Sequence, residues 1–300
     1  MVFTINDLEL WEQQGDVDKF RQILTLLTEP GFTEARLFSA RVLGKLHDPR
    51  GLKPLLLALN DQAKGVEECA RQALNAWADA DIESLCAMVE DHELGYYSAR
   101  SLFEVIARHP GERVVQTFLT LLREGRFGSK IRETVASIEG YDRMLVEKLG
   151  QPDPEVRYYA ISALKLVSSR AEVFTSLISA LEDECPQIRW FTAGTIAEVL
   201  GNTNIRRRVE AGLAAKAAAS LTAHLSDEDF MVRAACASAL AKSKDRSAAR
   251  GLLGLLEDPY ATVRESAAEA LWEFANQRMF KRLVRRCPLE PNLVVRAHLL

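Results

Sequence analysis

Four nine-residue segments of this chain align without a gap: "VRYYAISAL" from Val156, "IRWFTAGTI" from Ile188, "VRAACASAL" from Val232 and "VRESAAEAL" from Val263. Weaker copies begin at Ala35 ("ARLFSARVL"), Val66 ("VEECARQAL") and Leu94 ("LGYYSARSL"), and a degraded one begins at Ile131 ("IRETVASI"). Successive starts lie 31, 28, 37, 25, 32, 44 and 31 residues apart. A unit of that length holds two short helices and two turns. It buries an apolar face only by stacking against units like itself.

Counted from the first residue of each copy, small or apolar side chains recur four, seven and eight places on. At ~100° per residue these positions share one face of a helix. The eleventh place, which plays no part in the alignment, falls on the same face. It holds Leu46, Trp77, Val105, Val167, Val199, Ser243 and Phe274, apolar in six of the seven. A second helix follows each copy and ends at a carboxylate: "LLLALND" at Asp61, "LCAMVED" at Asp91, "LISALED" at Asp183, "LTAHLSD" at Asp227 and "LLGLLED" at Asp258. Six and two places before that Asp stand the apolar pairs Leu55/Leu59, Leu85/Val89, Leu177/Leu181, Leu221/Leu225 and Leu252/Leu256. An i, i+4 pair forms one stripe toward the partner helix. Strand-like alternation is almost absent, so the chain is expected to be all-α.

The formal net charge of −4 argues against wholesale binding to nucleic acid or anionic lipid. The five cysteines, Cys69, Cys86, Cys185, Cys236 and Cys287, form no C-x-x-C pair and are odd in number, which indicates neither a zinc site nor a disulfide framework. A reducing cytosol is the simplest setting. The opening "MVFTINDLELW" lacks the basic and apolar regions of a signal peptide. No stretch approaches the ~20 apolar residues of a membrane helix.

The spacing Asp-x5-Arg joins Asp183 to Arg189, Asp227 to Arg233 and Asp258 to Arg264. Together with the "VR-x2-A-x2-AL" helix, it resembles the HEAT-repeat superfamily over roughly residues 33–300. The units are closest to the short HEAT-like repeats first noted in phycobilisome lyases. The resemblance implies an α-solenoid, a right-handed superhelix of helical hairpins, with about eight units. It also implies a ladder of these Asp and Arg residues crossing between neighbours, and second helices lining a concave side. Residues 1–32 are expected to cap the first unit. Three departures stand out. The unit at Ile131 is short, and its second helix, "YDRMLVEKLG", lacks the Leu pair, so a change of curvature is expected near 125–155. The unit at Ile188 carries about a dozen extra residues, and "GNTNIRRRVEAGLAAKAAAS" is expected to lengthen its second helix. The pattern restarts at Val295-Arg296, and a half-repeat is expected there.

Two surfaces are candidates for a partner. On the first helices, offset 3 borders the core and holds Phe38, Tyr97, Tyr159 and Phe191. Offset 2 faces away and places Tyr96, Tyr158 and Trp190 outside as an aromatic stripe. Exposed Tyr and Trp are typical interface anchors, although such rings also pack on a preceding loop. On the second helices, opposite the Leu stripe, Ala87, Ser179, Ala223 and Gly254 offer a floor of small residues. Glu90, Glu182 and Glu257 offer an acidic edge beside it, and His224 lies at the margin. Such a groove suits a helical or basic partner segment, or is a plain solvated face.

No catalytic constellation emerges. The histidines are His47, His92, His109, His224 and His298, and the single His92-Glu93 pair cannot supply the repeated His-Glu set with which the HEAT-like deoxyhypusine hydroxylase holds two irons. Cys69 and Cys236 read as small core residues. Cys287 has basic neighbours but no identifiable base. There is no P-loop, dinucleotide fingerprint or nucleophile elbow. The basic clusters Arg206/Arg207/Arg208 and Lys281/Arg282/Arg285/Arg286 are local, and the acidic groove differs from the basic concave face of HEAT-like DNA glycosylases. The expectation is a non-enzymatic cytoplasmic scaffold, without cofactor or metal, that binds another protein as an adaptor or assembly factor. The alternative implied by the resemblance is a phycobilin lyase-like, bilin-handling subunit.

Overall fold

The structure, a computed structural model, describes residues 23, 25–27, 33–46, 48–92, 94–207, 209–243, 245–273, 287–292 and 295–296. Most of the 1–32 cap, His47, Glu93, Phe274, His298 and the cluster Lys281, Arg282, Arg285 and Arg286 lie outside the described residues, as does Arg208. Every regular element among the described residues is helical. The chain divides into two compact units, Met1–Phe127 and Gly128–Leu300.

In the first unit the helices are α1 (Thr33–Leu46), α2 (Leu52–Ala58), α3 (Lys64–Ala80), α4 (Ile82–Glu90), α5 (Tyr96–Ile106) and α6 (Glu112–Arg123). First helices pack on first helices, α1 on α3 and α3 on α5. Second helices form another row, with α4 on α6. The second unit repeats the scheme with α7 (Gly128–Ser137), α8 (Tyr141–Lys148), α9 (Pro154–Leu164), α10 (Ala171–Ser179) and α11 (Pro186–Gly201). It continues with α12 (Thr203–Arg206), α13 (Ala211–Ala223), α14 (Phe230–Ser243), α15 (Ala249–Leu255) and α16 (Ala261–Glu273). There α7, α9, α11, α14 and α16 form the first row in chain order, and α8, α10 and α13 the second.

Local chemistry sets the starts. Asp81 accepts from the N–H and hydroxyl of Ser84 and caps α4, while Pro154 and Pro186 open α9 and α11 with a preset φ. The five i, i+4 pairs of the second helices are all buried, and so are Val66, Ile188, Val232 and Val263 of the first row. Burying such side chains contributes ~1.5–3 kcal/mol each.

Two elements differ from the sequence expectation, and the short unit departs from its neighbours as its residues indicate. In the unit at Leu94 the helix begins at Tyr96 after the N-cap Gly95, and its buried residues are Ala99, Leu102, Phe103, Val105 and Ile106. The repeat therefore counts from Gly95, one residue later than the tyrosine alignment suggests. Tyr97 accordingly faces water instead of bordering the core. The short unit buries Tyr141 and Leu145 where the others use the Leu pair, and it lies just past the division between the two units. The insertion is not one lengthened helix. It forms the separate turn α12, and α13 starts afresh after residue 210. Arg206 of α12 donates to the carbonyls of Ser243 (2.7 Å) and Lys242 (3.4 Å), satisfying the C-terminal end of α14.

Close approach of α1 and α3 depends on Gly44, where a Cβ would lie 2.5 Å from the Cβ of Ala73 and 2.9 Å from its Cα. Gly254 of α15 has no atom within 4 Å of the corresponding point. Gly→Ala in a helix ordinarily stabilises by up to ~1 kcal/mol. Gly254→Ala should therefore raise Tm slightly, whereas Gly44→Ala should lower it. A rise for both in thermal melts would contradict the packing of α1 on α3.

Candidate partner-binding surfaces

The loops entering the first-row helices are held by a relay of guanidinium groups. Arg157 donates Nε and Nη2 to the Asp183 carboxylate at 2.7 and 2.8 Å, and Nη1 to the carbonyls of Gln151 and Pro152. Arg189 makes the paired bonds to Asp227, both 2.8 Å, and its Nη1 reaches the carbonyl of Asp183 at 2.8 Å. Arg233 repeats this with Asp258 and the carbonyl of Asp227. Arg264 bonds Glu290 at 2.9 and 2.8 Å and the carbonyl of Asp258. Arg296 donates to the carbonyl of Glu290. The Asp-x5-Arg spacing thus works through the main chain: Arg189 holds the carbonyl of Asp183, whose carboxylate belongs to Arg157. Each acid also accepts the N–H two residues on, at Cys185, Asp229, Tyr260 and Asn292.

Among the described residues, the first unit carries one such pair between repeats, Arg36 with Asp61. Beyond it, Glu67 and Tyr96 stand where arginine would be. Arg126 takes over part of the role from a loop, donating to the carbonyls of Val89 (3.0 Å) and Glu90 (3.3 Å). Its neighbour Phe127 holds a left-handed φ of 55°, with its ring stacked on those of Tyr96 (5.7 Å) and Phe103 (5.6 Å).

The aromatic candidates fall into different settings. Tyr96 is 63% exposed, Tyr97 74%, Trp190 41% and Tyr260 49%. Tyr96 belongs to the first unit, Tyr158 and Trp190 to the second. Tyr158 is half-buried, its ring 4.2 Å from that of Phe191 on the next first-row helix. Tyr260, which the repeat alignment passes over because it lies in the loop before α16, stacks on Phe230 at 4.4 Å and 10°. The signal for it is the aromatic pair Phe230/Tyr260 at neighbouring loop-helix junctions.

On the second helices Ala87, Ser179, Ala223, Gly254, Glu182 and Glu257 are exposed. Glu90 is not available: Arg113 donates to it at 2.6 and 3.0 Å, and Thr117 at 2.8 Å. His224 is buried, contrary to a place at the groove margin. Its Nδ1 donates to the Ser220 carbonyl at 2.9 Å, and Nε2 lies 3.7 Å from Glu182.

These contacts set the charge states. The Arg36 hydrogen bonds hold the Asp61 carboxyl below the usual range, and the Arg113 bonds do the same for Glu90. Burial alone would raise Asp227, but the Arg189 bonds and the Asp229 N–H more than offset it, leaving the carboxyl lowered. Burial pushes the Cys236 thiol up to about 12 and raises Cys86, so both stay protonated core groups. Among the described residues no group of His, Cys, Asp and Glu is placed to hold a metal ion, and no helix is long and apolar enough to cross a membrane.

The family model for HEAT repeats matches residues 192–272 and 218–300, so this part of the chain carries HEAT repeats. It covers most of the stretch where the guanidinium relay is unbroken. No curated protein matches the chain in sequence. Among solved structures, an engineered protein is 17% identical, with 99% of this chain and 90% of that one covered and a TM-score of 0.46. Human deoxyhypusine hydroxylase in complex with glycerol is 19% identical, with 90% and 89% covered and a TM-score of 0.38. Kap121p is 12% identical, with 94% and 40% covered and a TM-score of 0.46.

Breaking the relay at one rung leaves a buried charge behind. Arg189→Ala strands the Asp227 carboxylate, whose side chain is almost wholly covered, and should cost ~3–5 kcal/mol in chemical denaturation. Arg50→Ala, at the exposed pair with Asp48, should cost only ~0–1 kcal/mol. Because the pKa of Asp227 is lowered on folding, the stability it contributes is present above the ordinary value of ~3.9 and fades as pH falls through the folded value. Asp227→Asn should therefore narrow the gap in stability between pH 7 and pH 3; an unchanged gap would refute the linkage.

Proposed function

We propose that this protein is a HEAT-like repeat scaffold that binds another protein as an adaptor or assembly factor in the cytosol. Contact is made at the first turns of its first-row helices. The observation that carries this reading is the placing of large aromatic rings in water around the starts of these helices: Trp190 and, in the first unit, Tyr96 and Tyr97 in first turns, and Tyr260 in the loop before α16. Exposed rings of this size are a liability to a lone molecule unless a partner covers them. Tyr and Trp bury much surface for little lost side-chain entropy, which makes them frequent energetic centres of interfaces. The second-row face supports the reading less: its small residues project nothing into a partner, and Glu90 is already engaged. A reducing compartment suits the free, buried thiols of Cys86 and Cys236.

Affinity capture from the native host with the wild type, Trp190→Ala and Ala223→Arg tests this reading. A partner kept by the wild type and by Ala223→Arg, and weakened by ~2 kcal/mol in Trp190→Ala with helicity unchanged, is expected. Loss in Ala223→Arg alone would move the site to the second-row face. Pigment attachment on co-expression with a phycobiliprotein subunit would replace the scaffold reading with a bilin-handling one.

A further inference from the structure

The second unit has an edge, made by the loops entering α11, α14 and α16, whose chemistry selects one class of partner. We propose that this edge binds an extended segment of a partner protein bearing lysine or arginine side chains. The inference rests on the scaffold reading above and adds what the partner must look like.

Charge stoichiometry comes first. Glu182, Asp183 and Glu184 precede α11, where Asp183 and Glu184 share one guanidinium, Arg157; Asp227, Glu228 and Asp229 precede α14, where Asp227 and Glu228 share Arg189. The relay consumes those guanidinium groups. Each is nearly buried, with paired bonds to one carboxylate and further bonds to carbonyls. Glu184 and Glu228 are left over, with side chains 83% exposed and no closer than 3.5 Å to a guanidinium already committed elsewhere. Each takes one long hydrogen bond, 3.5 Å, from Nη2 of that guanidinium and keeps its remaining lone pairs open to water.

Aromatic faces on the same edge point independently to a cation. Trp190, 41% exposed, stands in the first turn of α11, the helix whose entry loop carries Glu184. One repeat further, the stacked pair Phe230 and Tyr260 lies beside exposed Met231. Arg233 sits 5.9 Å from the Tyr260 ring centre and shows that this ring already accepts a guanidinium. A lysine or arginine satisfies both features, its stem against the ring and its head at the carboxylate. An acidic segment would be repelled. A neutral apolar one would take charged carboxylates out of water without pairing them.

Spacing favours an extended chain. Packed helices stand ~8–10 Å apart, and a polyproline II chain advances ~3.1 Å per residue with three residues per turn. A basic residue at every third position would therefore meet one acidic loop per repeat.

The probe is a fluorescein-labelled peptide of four Lys-Pro-Leu triplets, with four Glu-Pro-Leu triplets as control, titrated by anisotropy against the full chain. The lysine peptide should bind, the glutamate peptide should not, and rising salt should weaken binding. The double variant Glu184→Lys/Glu228→Lys should lose at least tenfold, and Trp190→Ala or Tyr260→Ala about tenfold. Ala223→Arg, on the second-row face, should leave affinity within twofold. All four replaced side chains on the edge lie outside the core, and unchanged melting curves verify that each variant folds. Equal binding of the two peptides, or indifference to Glu184→Lys/Glu228→Lys, overturns the proposal. So does self-association of the wild type that the double variant abolishes, which would give the edge to a second copy of the chain. If a native partner depends on Trp190 but ignores the charge reversal, the scaffold reading stands and this inference falls.

Discussion

A pair of short helices cannot cover its own apolar stripe. Within each unit of this protein, neighbouring helix pairs close one another's stripes. Leu55, Leu85, Leu177, Leu221 and Leu252, at one equivalent position, are all completely buried. This mutual burial is the dominant favourable term. It also dictates the composition of the first-row helices, where Ala160, Ala193, Ala237 and Ala267 allow adjacent helices to approach. Gly44 goes one step further, since even a methyl group there would collide with Ala73.

Burial is non-directional, so it leaves open how one pair is turned against the next. The guanidinium relay supplies that direction. A planar fork that holds a carboxylate with two donors and a carbonyl with a third ties two successive loops to the helix that carries it, at ~2.8 Å. Because the relay runs nearly buried, its net contribution to stability is small compared with the damage done by losing one member. Its value lies in register. Where it lapses, between Arg36 and Arg157, other devices appear: Arg126 reaching back to α4, Arg113 clamping Glu90, and Phe127 held at positive φ between aromatic rings.

Much of this was legible in the residues, and the failures are informative. Period and polarity located the first-row helices and both apolar positions of the second row, because deep burial tolerates few alternatives at those sites. The register at Leu94 was misleading because two tyrosines mimic the aromatic pairs of later repeats, while four of the five buried residues, Ala99, Leu102, Phe103 and Ile106, follow the count from Gly95. The Asp-x5-Arg spacing is visible in one dimension. That each carboxylate serves the preceding arginine, 25 to 38 residues away in sequence, is not. Tyr260 and the burial of His224 also escaped, since both depend on what the neighbouring repeat places against them.

The same division explains why the candidate surfaces lie where they do. Positions facing the core, and those feeding the relay, are constrained by their neighbours on both sides. The first-turn positions just outside the relay have no such duty, yet they are carried on the most rigidly held loops of the second unit. Side chains such as Glu184, Trp190, Glu228 and Tyr260 are therefore free to vary in kind but not in position. A partner that reads them meets groups already in place and loses little entropy in ordering them. The relay that exhausts the arginines in holding these loops is also what leaves the edge acidic, so architecture and recognition chemistry share one cause.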